Sequence, residues 1–196
     1  MFMYDGAMTT TDLRIELQAA VAKLPVGLRD HVGRVVTEAR RLAHQHGVDE
    51  GRAVIAALGH DLYRGHAPEK LLAEAEIAGL VMSGEERSQP VLLHGPLGAM
   101  LMADRYGIDD DEVLAAARHH TTARAGMSQL ERLIFVADKI EPEKARREPA
   151  LAEAREAAHE SLDAAMRIIL DYQVSRALER GWPLHPATVA ARNELL

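Results

Sequence analysis

Good helix formers run the whole length of this chain, and nothing in it alternates. Ala, Leu, Glu and Arg dominate, and these side chains lose little on entering a helix. No β-branched stretch of period two is bounded by turn residues, so no strand is expected. A chain that makes only helices must bury its apolar stripes helix against helix, which restricts it to an all-α architecture. Its 196 residues are enough for one domain, or for one domain with an extension. With 47% hydrophobic and 27% charged residues it can fill a core, and it does not have a disordered composition.

Glycine and proline divide the helices. A first is expected from about Thr11 to Leu24, with Thr11 or Asp12 as N-cap. A second follows Pro25 and stops at Gly47, and a third runs from Asp49 as N-cap to Gly65. A fourth covers Pro68 to Ala78, and residues 84–90 read as a polar loop. A fifth spans Val91 to Tyr106, and a sixth, capped by Asp109, ends near His120. Ser128-Gln-Leu-Glu131 has the form of a capping box and opens a seventh helix through Ile140, which Pro142 ends. One long helix is expected from Pro149 to Arg180, and a short last one from Pro186 to Leu195. No fixed-period repeat or low-complexity linker interrupts the series.

Composition removes several functions. The net charge of −7 argues against general binding to DNA or RNA backbones. The chain has no cysteine, which excludes disulfides, iron–sulfur clusters and thiol catalysis and fits a reducing compartment. No apolar run reaches the roughly 18 residues of a membrane span. The first residues, MFMYDGAMTTTD, have neither the basic nor the apolar region of a signal peptide, so a cytoplasmic protein is expected. Two Phe, one Trp and four Tyr offer no obvious platform for a nucleobase, and Tyr63, Tyr106 and Tyr172 are the candidates.

Histidine is the abundant exception, with ten residues. Helical spacing sorts them. His31 lies beside Val35 on an apolar stripe, and His60 follows Ala56 and Ala57 by one turn. His94 leads the stripe Leu97, Leu101, Met102, and His120 continues Val113 and Ala116. His119 reads as a rim residue. A single inward histidine is more often a core or capping residue than a ligand, and His44, His46, His66, His159 and His185 keep that plain reading. Two carboxylates are more unusual. Asp61 falls among small apolar residues, and Asp138 sits in the middle of LIFVADKI, where a core would place leucine. Buried carboxylates need a partner, which can be a metal.

The inward set is therefore His31, His60, Asp61, His94, His120 and Asp138. Such a mixed nitrogen–oxygen set suits iron, manganese or zinc. With one aspartate shared, it could hold two cations about 3.5–4 Å apart, an arrangement that activates water and neutralises phosphoryl charge. Asp61 has no local replacement and is the residue expected to matter most. The cations Arg64, Lys139 and Arg124 read as solvated by default and become phosphate contacts only if they line the pocket, with Thr121 beside them.

The order His31, His60-Asp61, Asp138 resembles the HD-domain superfamily of metal-dependent phosphohydrolases, and His94 and His120 resemble the further ligands of its two-metal members. The segment HHTTARAGMSQLERLIFVADKIEP, from His119 to Pro142, together with His94-Gly95, is similar to the YqeK family of symmetrical bis(5′-nucleosyl)-tetraphosphatases. The resemblance covers roughly residues 25 to 180. It implies an HD-domain helical bundle over residues 25–145, preceded by an N-terminal helix (1–24) and followed by C-terminal helices (146–196) packed on the same domain. It also implies a di-iron centre, with manganese as the alternative, and hydrolysis of diadenosine tetraphosphate to two ADP. In that reading His31, His60, Asp61 and Asp138 hold one metal, Asp61 bridges, and His94 and His120 complete the second. Arg64, Thr121, Arg124 and Lys139 would meet the polyphosphate, Arg64 with a catalytic part beside Asp61. Three residues depart from the family pattern: Arg64 stands for a lysine, Ala123 for a glycine and His119 for a tyrosine.

The partner implied is a small nucleotide, without nucleic acid or membrane, and a homodimer is compatible with it. Spacing alone does not separate a dinucleotide from a deoxynucleoside triphosphate, a guanosine alarmone or a nucleoside monophosphate. A helical module that senses a nucleotide without turnover would use the same histidines.

Overall fold

The computed structural model describes residues 9–196. The start of the expected N-terminal helical region, Phe2 and Tyr4, and most of the segment screened for a signal peptide lie outside the described residues. Among the described residues the elements are all helical. They are α1 (Thr10–Val21), α2 (Val26–His46), α3 (Glu50–Gly59), α4 (Pro68–Ile77), α5 (Gly84–Ser88), a 3₁₀ turn (Pro90–Leu93), α6 (His94–Tyr106), α7 (Asp111–His119), α8 (Gln129–Ile140), α9 (Pro142–Arg147), α10 (Pro149–Ala157), α11 (Leu162–Arg180) and α12 (Pro186–Glu194). No helix among them is long and apolar enough to cross a membrane.

The caps explain most boundaries. Thr9 and Asp12 form a capping box on α1, two residues before the expected start. Ser128 and Glu131 form the expected box on α8, and Asp49 caps α3 as expected. Gly47, Gly107 and Gly181 end α2, α6 and α11 in the left-handed conformation that costs glycine nothing. Four expectations need correction. The third helix stops at Gly59 instead of Gly65, and His60 to Gly65 form successive turns. The loop at 84–90 contains a short helix, because Ser83 and Glu86 make a capping box. The cap of α7 is Asp110, whose carboxylate accepts from the Glu112 and Val113 N–H groups, and not Asp109. The long C-terminal helix is broken near Ala158, and Ser161 caps a new one by accepting from Ala164 N–H.

Helix α8 is the centre of the bundle. Leu133, Ile134, Phe135, Val136 and Ala137 have no exposed surface. It packs against α2, α3, α7, α10 and α11, so a helix hydrophobic on most sides is covered on most sides. A smaller apolar cluster of Leu71, Ala75, Met82, Leu93 and Leu97 seats α4 against α6. The C-terminal helices lie on the same core: Leu151, Ala158, Leu162, Met166 and Ile169 all belong to the main cluster.

Two glycines set how closely the site-bearing helices approach. A Cβ at Gly59 would overlap Met102 Sδ, so any larger residue would force the Met102 side chain to shift where α6 crosses the end of α3. A Cβ at Gly95 would lie 2.6 Å from the Arg118 carbonyl oxygen, a backbone atom that cannot swing away. The start of α6 is thereby pressed against the end of α7, and His94 comes beside His120.

Candidate metal centre

Each inward residue sits where a helix begins, ends or faces the core. His31 is on α2, His60-Asp61 follow the end of α3, His94 opens α6, His120 follows α7, and Asp138 lies on α8. All six are buried, with His60 fully inaccessible. They converge. Asp61 Oδ1 lies 3.1 Å from His94 Nε2 and 3.5 Å from His120 Nε2. Asp61 Oδ2 lies 3.5 Å from His60 Nε2 and 3.6 Å from His31 Nε2. Asp138 Oδ1 stands 3.0 Å from His31 Nε2 and 3.9 Å from His60 Nε2. The carboxylate of Asp61 thus separates two donor groups, His31, His60 and Asp138 on one side and His94 and His120 on the other.

The histidines are held by one repeated device. The Nδ1 atoms of His60 and His120 lie 2.7 Å from the carbonyls three residues back, those of Ala57 and Ala117. His94 Nδ1 does the same with the Val91 carbonyl. A carbonyl only accepts, so each Nδ1 carries the hydrogen and each Nε2 is a lone pair aimed at the centre. For His31 the partner is a carboxylate, Glu141, at 3.4 Å from Nδ1.

This arrangement fits metal ions. His60 Nε2 is buried and has no hydrogen-bond partner, an expensive condition without a ligand. His94 Nε2 and His120 Nε2 are 2.9 Å apart, yet both Nδ1 atoms hold the hydrogens, so two lone pairs face each other and a cation would relieve them. Four charge states agree, while at His31 burial is outweighed by Asp138 and Glu141, which raise its pKa. Burial favours the neutral imidazole at His60 and brings His120 down to about 3. Burial opposes ionisation of Asp61, but His60, His120 and His94 hold its carboxyl well below the usual range. Burial likewise opposes that of Asp138, and Lys139, Lys144 and His31 overcome it. Neutral imidazoles and ionised carboxylates are the forms that bind metal.

A cavity of about 210 Å³ opens onto this centre, lined by Asp61, Arg64, His94, Thr121, Lys139 and Lys144 among others. Arg64 is exposed at its mouth and makes no ion pair among the described residues. Thr121 Oγ1 lies 3.1 Å from His120 Nε2 and 3.3 Å from His94 Nε2. Lys139 donates to the His120 carbonyl at 2.9 Å and to Asp138. Arg124 is elsewhere: its guanidinium grips buried Glu131 at 2.7 and 2.8 Å. It lines a different cavity, beside half-buried His119.

Two residues escaped the sequence reading. Glu141 is buried and receives His31 as well as Arg34 Nε at 2.6 Å. Burial would raise its pKa, but His31, Arg34 and the Glu143 N–H bring it down to about 2. Lys144 donates to Asp138 Oδ1 at 2.6 Å and to its carbonyl at 2.8 Å. Both lie within one turn of α9, a helix the sequence reading did not anticipate, and Glu141 is a cap followed by proline, which reads locally as a helix start. Ala123 takes φ of 57°, a conformation that favours glycine, a backbone demand that accounts for a glycine at this position in the pattern.

The HD domain family model matches residues 28–143. A relative from Halalkalibacterium halodurans named bis(5′-nucleosyl)-tetraphosphatase, symmetrical, is 35% identical over 85% of this chain and 87% of its own. Proteins of the same name from Bacillus subtilis and Staphylococcus aureus are 31% and 34% identical, over 85% and 80% of this chain and 88% and 78% of theirs. A crystal structure from Clostridium acetobutylicum, described as a predicted HD superfamily hydrolase involved in NAD metabolism, superimposes with a TM-score of 0.84 at 33% identity, covering 97% of this chain and 98% of the other.

Proposed function

The chain belongs to the HD domain family, and from this we propose that it is a metal-dependent hydrolase that cleaves dinucleoside tetraphosphates symmetrically, diadenosine tetraphosphate giving two ADP. The observation that carries the reading is the divided carboxylate of Asp61, with His31 and His60 within 3.6 Å of one oxygen and His94 and His120 within 3.5 Å of the other. The names of three relatives supply the substrate. His31, His60, Asp61 and Asp138 would hold one cation, and Asp61, His94 and His120 the other. Iron or manganese suits this donor set. Bound cations supply an activated water at neutral pH and Lewis acidity toward phosphoryl oxygens.

The protein's own groups do the rest. Asp61 and Asp138 stay ionised, and the carbonyls of Ala57, Val91 and Ala117 orient the imidazoles of His60, His94 and His120. Arg64 meets the anionic chain at the cavity mouth, where its guanidinium can take two phosphate oxygens. Lys139 adds positive charge inside, and Thr121 offers a hydroxyl beside His94 and His120. Arg124 supports the loop between α7 and α8 through Glu131. Residues 25–145 carry the centre and the residues that line its cavity.

The test is product analysis. Protein purified without chelator under reducing conditions is incubated with dinucleoside polyphosphates, deoxynucleoside triphosphates and guanosine tetraphosphate. ADP as the sole product of diadenosine tetraphosphate is the expected result. AMP with ATP contradicts symmetrical cleavage, and binding without turnover identifies a sensor.

A further inference from the structure

A second cavity begins where the metal cavity ends. Thr121 lines both. The second, of about 290 Å³, lies between the loop after α7, the 3₁₀ turn, α11 and α12. It sits at the lower limit of small-molecule sites, roughly 300 Å³, the size for one half of a dinucleotide rather than the whole. Thr188 on α12 donates to the Thr122 carbonyl at 2.7 Å, so the C-terminal wall is tied to the loop that carries His120 and Thr121.

The lining is chemically uneven in a way that suggests a base. Three buried side-chain atoms among the described residues have no hydrogen-bond partner. One is His60 Nε2 in the metal centre, and the other two, Gln173 Oε1 and His185 Nε2, belong to residues that line this cavity. Their roles differ. His185 Nδ1 accepts from the Ala187 N–H at 3.2 Å, so Nε2 carries the hydrogen and is a donor. Its nearest carboxylate, Glu86, is 4.0 Å away, beyond a hydrogen bond. Gln173 Oε1 is an acceptor. A donor and an acceptor without partners match a base edge that presents the reverse, as the adenine amino group and ring nitrogen do. An aromatic surface is here too: Tyr172 and Trp182 line the same cavity, and Trp182 is 45% exposed. Nucleobases stack on such faces.

We propose that this cavity holds the purine nucleoside of one half of the substrate, its base against Trp182 and its edge bonded to Gln173 and His185, while the polyphosphate passes Thr121 to the metal centre. The proposal rests on the dinucleotide reading above and adds which part of the protein recognises the base.

Trp182 is the chain's one tryptophan, so its emission reports on this cavity directly. In the metal-loaded full chain, adenosine is expected to quench that emission saturably, and inorganic phosphate to leave it unchanged. Gln173→Leu is expected to weaken the adenosine effect. It should also raise KM for diadenosine tetraphosphate about tenfold with kcat little altered, the loss of one hydrogen bond. Circular dichroism and metal content check that the variant is intact, and Trp182→Ala, at an exposed ring, gives the same KM readout should Gln173→Leu misfold. Emission indifferent to adenosine, or wild-type KM in both variants, overturns the proposal. Quenching that depends on Gln173 in a protein that cleaves no dinucleotide keeps the cavity and removes the activity. Wild-type cleavage and KM in both variants keep the activity and remove the cavity.

Discussion

His94 Nε2 lies 3.1 Å from Asp61 Oδ1, while the other oxygen of the same carboxylate is turned to His31 and His60. One side chain, placed by the turn after α3, therefore serves two donor groups drawn from four other elements. That division makes Asp61 the residue whose loss has no remedy nearby.

Asp61→Ala is expected to lose bound metal at both positions and to lower kcat/KM by about 10³-fold or more, roughly 4 kcal/mol of barrier. Metal analysis and steady-state kinetics check it. Full metal content with full turnover would remove Asp61 from the assignment.

Glu141 acts through His31. Glu141→Ala should leave the six inward residues in place but loosen the His31 ring, and partners of this kind are worth about 10–100-fold in metal affinity or activity. Glu141→Gln, whose amide oxygen can still accept from Nδ1, should recover most of the loss. Equal defects in the two variants would mean that Glu141 does something other than orient His31.

Arg64 and Arg124 should part company. Arg64→Ala is expected to raise KM for the polyphosphate about tenfold or more with metal content unchanged, and Arg64→Lys to restore part of it because charge remains without the bidentate fork. Arg124→Ala instead leaves the buried Glu131 carboxylate unpaired. The expected result is lower stability, on the order of 1–3 kcal/mol, with KM nearly unchanged. A KM effect at Arg124 equal to that at Arg64 would contradict the division.

The helix that delivers His120 is held by an acid-sensitive cap. Asp110 accepts from Arg52 at 2.6 and 2.7 Å and from two N–H groups at the start of α7. Its pKa is lowered, chiefly by the Arg52 hydrogen bond and despite partial burial. A lowered folded-state pKa gives stability that is complete above the unfolded-chain value of about 3.9 and lost as pH falls through the folded value. Asp110→Asn keeps an amide oxygen for the cap but loses the Arg52 ion pair, so it should unfold more easily near neutrality by about 0.2–1 kcal/mol and show a shallower loss as pH falls below about 4. Parallel denaturation curves across that range would refute the linkage.

Much of this was legible in the residues. Period and punctuation predicted the helices, because caps such as Asp49 and Ser128 act locally. Asp138 stood out because a charge inside LIFVADKI has no local excuse. The breaks at Gly59 and Ala158 were not legible, since both follow from tertiary packing: α6 crossing at Met102, and α10 folding back onto α11. Glu141 and Lys144 were hidden for the same reason. Their partners, His31 and Asp138, are reached only once α9 folds back beside α2 and α8. The nucleoside cavity needed the structure altogether, because Gln173, Trp182 and His185 gain meaning only by sharing a wall with Thr121.

The central claim is that six side chains from five stretches of chain hold a pair of cations. Anomalous diffraction from a crystal grown with manganese tests it most directly. Two peaks about 3.5–4 Å apart are predicted, one among His31, His60, Asp61 and Asp138 and the other among Asp61, His94 and His120. A single peak at one donor group, or none, would contradict the account.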